Sequence, residues 1–358
     1  MTHINTHRVL TLAAALAVTA AASLSCAKQE TVLSDGDGSI DYSASIAETK
    51  VSSDNLVESL EKLKAKGFGV SAWYTANNAS YFSGDKVSWD SGSSKWTSKT
   101  SGGAAVTHLW PANGGLKFLA ATPAEALENT ANTNIATSKW TYTHSVGTSP
   151  AADDLLFGYY TGSKSNSTVD LTFHHPLALL DIKCGSKVTG IKSISKVTVS
   201  GVYAGGTYTM NYGASPAAFS WTPSGGKQTV TRTTDVKTFT QGTLIGESLT
   251  LIPQAFSSGT PVVISLQVTG LDDAHKTFVC TLNDATMGSL TAGNRTTVSI
   301  NIENADRITF TVGVTAWGNN EGGSADAEPL DSVTFDGVSV TGWGSNTGGS
   351  ANAEEKFL

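Results

Sequence analysis

The sequence predicts an all-β protein: two β-sandwiches in tandem, with one short helix. Three observations predict it. The 358 residues hold 36 Gly, with 39% apolar and only 15% charged residues, a turn-rich balance unlike that of disordered chains or coiled coils. From Phe68 onward the apolar residues recur with period two, the spacing of half-buried strands. In the second half, strand-like runs return about every ~10 residues, the rhythm of a sandwich. At ~100–200 residues per domain, the length suits two domains with a core each. The net charge of -7 and the presence of only four arginines, Arg8, Arg232, Arg295 and Arg307, argue against a nucleic-acid partner.

Residues 1–25 read as an export signal. A weakly basic start, with Arg8, His3 and His7, precedes the uncharged run Val9 to Ala22, too short to span a bilayer comfortably. Ser23-Leu24-Ser25-Cys26 follows and reads as a loose lipobox, in which the Cys26 thiol takes a diacylglycerol and becomes the mature N-terminus. That single lipid would tether an otherwise soluble chain to a membrane surface.

The N-terminal sandwich is expected over 26–165. Ser39 to Ile46 alternates weakly, as an edge strand does, and a helix is expected from Ser53 to Lys66. Its stripe is Leu56, Val57, Leu60 and Leu63, Ser53 can cap it and Gly67 can stop it. Strands follow at Phe68 to Tyr74, Tyr81 to Trp89, Lys95 to Thr97, Leu116 to Ala121 and Asp153 to Tyr160. Residues 124–150, rich in Ala, Asn and Thr, read as an exposed excursion rather than a strand pair. Gly162 to Thr168 is the expected linker into a C-terminal sandwich over 166–330. The strands expected there are Val169 to Phe173, Leu177 to Cys184, Ile194 to Tyr203, Ala218 to Trp221, Leu249 to Ile252, Val262 to Thr269, Thr277 to Leu282, Thr297 to Ile302 and Ile308 to Trp317.

Residues 331–358 carry a repeat. Ile308 to Gly318 (ITFTVGVTAWG) is followed by NNEGGSADAE, and Val333 to Gly344 (VTFDGVSVTGWG) by SNTGGSANAE. The two copies either pair with each other as a terminal hairpin, or the second is a surplus strand able to fill a groove in another molecule. In the latter case, backbone hydrogen bonds would supply affinity and Val333, Phe335, Val338, Val340 and Trp343 would be the donor residues.

No nucleophile-elbow, zinc-protease, P-loop or dinucleotide fingerprint occurs, so neither an enzyme nor a cofactor is expected. His174 and His175, adjacent in an extended segment, point to opposite faces and cannot chelate one metal together. Asp35-Gly36-Asp37-Gly38 starts like a calcium loop but lacks the later Glu. Cys184 and Cys280 each sit in an apolar strand, as two buried thiols or as a disulfide. Of the eight tryptophans, Trp73 and Trp221 look buried, whereas Trp140, in the polar excursion, is the candidate for exposed stacking on a sugar ring.

The ordered set of Cys26, FGVSAWYT (68–75), Tyr81-Phe82 to Trp89, Trp96, LWP (109–111), GGLKFLAATP (114–123), Asp154-Leu155-Leu156 and VDLTFHHPLA (169–178) resembles the fimbrillin family of surface lipoproteins. The resemblance implies transthyretin-like sandwiches and a role as a fimbrial (pilus) subunit at the outer membrane. It further implies that a trypsin-like protease removes the first strand, and that a strand of another fimbrial subunit fills the vacated groove. No Arg lies between Arg8 and Arg232, so Lys50 is the candidate processing site, Ile40 to Ile46 the removable strand and Val333 to Trp343 the donor. A second reading is a lipid-anchored protein binding host or bacterial surface glycans through Trp140.

Overall fold

The computed structural model describes residues 38–47, 56–128, 133–135, 139–145, 154–166, 168–211, 214, 218–283, 287–304, 307–316, 333–335 and 341–342. Cys26 and Lys50 therefore lie outside the described residues, as do Val338, Val340 and Trp343.

The described chain is mostly strand, with two short helices. It opens with β1 (Asp41–Ile46), α1 (Leu60–Lys66), β2 (Phe68–Tyr74), β3 (Ser80–Asp90), β4 (Lys95–Lys99), β5 (Ala105–Val106) and β6 (Gly115–Thr122). It continues with α2 (Glu125–Glu128), β7 (Thr133–Ile135), β8 (Lys139–Ser145), β9 (Leu156–Ser163) and β10 (Thr168–Phe173). The six-stranded antiparallel sheet β5-β4-β3-β2-β6-β9 is faced by a sheet of two strands, β1 parallel to β10. Between them Phe68, Phe118, Leu116, Leu171 and Phe173 form the first core.

The helix is shorter than the apolar stripe suggests. It starts after Ser59, whose hydroxyl accepts from the Lys62 amide at 3.3 Å, and Gly67 ends it with φ 71°, its N–H bonding the Leu63 carbonyl at 2.7 Å. Gly67 cannot be replaced cheaply, because a Cβ there would stand 2.5 Å from the Val87 carbonyl oxygen. Leu56 and Val57 are buried as expected, but outside the helix, for their segment is claimed by tertiary contacts described below.

The second sandwich begins with β11 (Ala178–Val188), β12 (Ile191–Asn211), β13 (Ala218–Val236), β14 (Leu249–Leu251), β15 (Gln254–Ala255) and β16 (Val262–Gly270). It ends with β17 (His275–Leu282), β18 (Ser289–Leu290), β19 (Asn294–Asn304), β20 (Arg307–Ala316), β21 (Val333–Phe335) and β22 (Thr341–Gly342). One sheet runs β14-β11-β19-β20-β21, and the other β22-β17-β16-β12-β8-β7, with β13 also on β12. Ile182, Val199, Ile264, Phe278, Val298 and Ile300 lie in the core between them. Each strand expected in this half is present, with β12 and β13 much longer than their apolar cores suggested.

Three expectations are corrected. First, 124–150 is not an exposed excursion. It supplies α2 and the β7–β8 hairpin, and β8 joins the second sandwich by antiparallel pairing with β12, Trp140 opposite Met210 and Tyr142 opposite Tyr208. Trp140 is accordingly not an exposed sugar contact. Its side chain is 0% exposed and packs against Phe157 at 4.4 Å between ring centroids. Trp73 and Trp221, expected to be buried, are only half-buried.

Second, the expected boundary at 165/166 falls inside the first sandwich, because Val169, Leu171 and Phe173 of β10 fill its core. The chain crosses to the second sandwich after Phe173. Third, part of the C-terminal repeat is paired at home rather than surplus. Backbone pairs Phe310↔Phe335 and Val312↔Val333 set β21 antiparallel to β20, so the two copies meet as neighbours, and Thr341–Gly342 lies on β17.

Cys184 and Cys280 are separate free thiols in the second core. Burial raises both pKa values, that of Cys280 to about 12. With Cys26 replaced by Ser, the folded protein is expected to show no fast reaction with Ellman's reagent, and two thiols per chain after unfolding. Trp140→Ala is expected to destabilise the fold by ~3–5 kcal/mol, the range for a buried aromatic. A lowered urea midpoint checks this, whereas an exposed side chain would shift stability by under ~0.5 kcal/mol.

Candidate functional site

Two features of the fold bear on function: the strand β1 and the junction between the sandwiches. β1 makes six parallel pairs with β10, from Asp41↔Thr168 to Ile46↔Phe173, and among the described residues β10 is its only strand partner along that length. Its sequence alternates because one face is a lid on the core: Ile40, Tyr42 and Ile46 are buried, while Asp41, Ser43 and Ser45 face out. Tyr42 packs edge-on against Phe68 and Phe118 at 6.2 and 6.5 Å. Burial, reinforced by the charge of Asp85, raises its phenol pKa. On the outer face Ser43 bonds the Asp170 carboxylate and Ser45 meets the Thr172 hydroxyl at 3.3 Å. The strand is anchored at both ends, by Ile40 N–H to the His108 carbonyl at 2.8 Å and by Ala47 N–H to the Phe173 carbonyl at 2.9 Å.

Downstream, the three residues Leu56, Val57 and Glu58 clasp the two sandwiches together. Leu56 enters the apolar junction with Leu119, Phe157, Leu179 and Met210. Val57 fills the first core, and its N–H donates to the buried carboxylate of Asp154, whose other oxygen lies 3.0 Å from His175 Nδ1. Glu58 reaches the second sandwich and pairs with the Arg295 guanidinium of β19. Arg295 also faces Asp181 of β11 at 3.6 Å, and Lys183 approaches the same carboxylate at 3.2 Å. Glu58, Asp181 and Arg295 are each at most 3% exposed. Neither this ion cluster nor the Asp154–His175 pair is visible from spacing in the sequence, since Glu58 and Arg295 stand 237 residues apart. Among the described residues no group of three or more His, Cys, Asp or Glu side chains is arranged to hold a metal ion.

Beside the clasp, a cavity of about 270 Å³ opens between the sandwiches, bounded by Ala47 at the end of β1, by His174 to Pro176 of the crossover, and by Tyr208, Phe219 and Trp221 of the β12–β13 hairpin. The half-buried His174 faces it, and burial, then the neighbouring His175, hold its pKa below the ordinary histidine value.

These features define a tandem β-sandwich protein whose first sandwich is closed by a two-stranded, one-sided lid. The fimbrillin-like family model matches residues 49–317, and the chain belongs to that family. No curated protein matches the chain. Among solved structures, a candidate cell adhesion protein of Bacteroides uniformis ATCC 8492 shares 17% identity with a TM-score of 0.53, over 78% of this chain and 99% of that one. A second, from Bacteroides ovatus ATCC 8483, has 15% identity and a TM-score of 0.46 over 79% and 99% of the two chains. The tip fimbrial protein Mfa3 of Porphyromonas gingivalis, truncated at its C-terminus, has 10% identity and a TM-score of 0.38 over 70% and 94%. At 17% identity the likeness to the first of these is one of fold. Family membership supports a fimbrial subunit.

The clasp makes a stability statement. Arg295→Met strands the Glu58 carboxylate in an apolar junction and is expected to lower unfolding stability by ~3–5 kcal/mol. The double variant Glu58→Gln/Arg295→Met removes the stranded charge and is expected to recover most of the loss, as read from urea midpoints. A single-variant loss under ~1 kcal/mol would show that the pair does not hold the junction.

Proposed function

We propose that the protein is a structural or adhesive subunit of a cell-surface fimbria, exported as a lipoprotein through Cys26 and assembled at the outer membrane by strand exchange between copies. The supporting observation is β1, a short strand with a single strand partner among the described residues, whose buried face closes a core, followed within a few residues by Lys50.

Strand exchange needs a slot that is costly to leave empty and easy to refill. Withdrawing β1 exposes the sites of Ile40, Tyr42 and Ile46, each worth roughly 1.5–3 kcal/mol when buried. It also unpairs β10, which then presents a free edge to an incoming strand. In this reading proteolysis at Lys50 severs β1 from the body while the clasp at Leu56–Glu58 keeps the new N-terminal segment in place. The donor is the tail of a second copy, carrying Val333, Phe335, Val338, Val340 and Trp343. Among the described residues the tail pairs at home through Val333–Phe335 on β20 and Thr341–Gly342 on β17, where each hydrogen bond contributes only ~0.5–1.5 kcal/mol. In this reading a ladder in the groove of a second copy, with the apolar donor side chains buried, replaces these pairs.

Mild trypsin treatment of the purified full chain is expected to yield SDS-resistant ladders on a gel. Lys50→Gln and deletion of 331–358 should each abolish the ladders while leaving the thermal unfolding of the monomer intact. Ladders from the deletion variant would overturn the donor assignment, and ladders from Lys50→Gln the processing site. Cys26→Ser is expected to lose labelling by radioactive palmitate and to leave the membrane fraction.

A further inference from the structure

The distal half of the β12–β13 hairpin projects beyond the second sandwich, and its cross-strand pairs Tyr208↔Trp221 and Met210↔Phe219 put four large side chains on one face. At the inner end of that face Tyr208 and Met210 are buried against the first sandwich. At the outer end Phe219 is 40% exposed, one of two large apolar side chains left so among the described residues, and it borders the cavity rather than the general surface. Solvent-facing aromatic surface beside a cavity marks a contact site more often than a surface accident.

The cavity wall is preorganised. The Trp221 indole N–H donates to the Pro176 carbonyl, which fixes the ring, and the ring lies 5.4 Å from that of Tyr208. Phe219 stands 5.5 Å from the His174 imidazole. The ring nitrogens of His174 and His175 border the cavity, with His175 Nδ1 turned to Asp154, while Ser220 alternates with Phe219 and Trp221 along β13 and directs its hydroxyl to the other face; the lining includes no Lys, Arg, Asp or Glu. An ionic ligand would find no counter-charge there. A wholly apolar one would strip water from His174 without replacing its hydrogen bonds. The remaining match is a neutral ring with a C–H face on one side and hydroxyls on its edge. At about 270 Å³ the space falls just below the ~300–1,000 Å³ of clefts for drug-sized ligands, the size for one such ring.

We infer that this interdomain cavity is a binding site for a neutral hexopyranose unit of a surface glycan, stacked on Phe219 and Trp221 and hydrogen-bonded by His174. Neutral at pH 7, the imidazole offers one donor and one acceptor, as a pair of sugar hydroxyls requires. Ala47 closes one side, so the site stands in the unprocessed chain and its occupation does not depend on strand exchange.

The probes are glucose, galactose, mannose and N-acetylglucosamine, titrated against the full chain by saturation-transfer NMR and tryptophan fluorescence. At least one is expected to bind saturably with a Kd on the order of 1 mM, the scale for a single small ring. Phe219→Ala is expected to weaken it about tenfold, and Phe219→Tyr to retain it. Phe219 is partly exposed, and unchanged circular dichroism will confirm that the variants fold. Absence of saturable binding by all four sugars, unchanged affinity in Phe219→Ala, or equal binding of glucuronate or sialic acid would each overturn the assignment.

Discussion

The relative placement of the two sandwiches depends on one buried charge. Arg295 lies on a strand of the second sandwich, with its guanidinium between Glu58, from the segment before the helix, and Asp181 on the next strand. Taking three ionised groups out of water is expensive, and the arrangement is tolerable only because each has an opposite charge beside it. Its consequence is positional. Glu58 can reach Arg295 only if Leu56 and Val57 run extended through the junction, and that extended run, pinned again by the Val57 N–H on Asp154, delays the helix until Ser59. The Leu56 side chain, the Asp154–His175 pair and the crossover at His174–Leu177 are thereby gathered in one place.

The β12–β13 hairpin performs the complementary task from the other side. Its near half belongs to the second sandwich through β16, and its far half pairs with β8, a strand contributed from before the first sandwich is complete. The two sandwiches are thus interleaved in sequence although each has its own core. One face of the overhanging half changes character along its length, from Trp140 and Met210 sealed in the junction to Phe219 at the mouth of a cavity. Strength and openness sit on the same surface because the hairpin outruns the sandwich it covers.

Against this rigid junction, β1 stands out as a one-sided attachment. It is held by a single parallel ladder and by side chains plugged into a core, and the clasp lies downstream of it in the chain. On the strand-exchange reading proposed above, removal of β1 would leave these junction contacts in place, the mechanical condition for opening one slot without coming apart. Membership of the fimbrillin-like family places this design among fimbrial proteins.

Much of the architecture was legible in the sequence, for a definite reason. Alternation of apolar and polar residues reports which face of a strand is buried, so β2, β6, β10, β16 and β19 could be located from Phe68-Gly69-Val70, Leu116 to Ala121, Val169 to Phe173, Val262 to Thr269 and Thr297 to Ile302, and β1 from Ile40, Tyr42 and Ile46. The ordered motifs carried the family resemblance as well. Periodicity, however, says nothing about what a face is buried against. Lys139-Trp140-Thr141-Tyr142 alternates as a strand, but its polar surroundings masked it, and only pairing with β12 sends Trp140 inward. Leu56 and Val57 fit a helical stripe, yet contacts with residues about a hundred and more than two hundred positions away drew them out of it. The candidate site is of the same kind: Ala47, His174, Phe219 and Trp221 become neighbours only when two sandwiches and an overhanging hairpin are folded against one another, so it was for tertiary packing alone to decide.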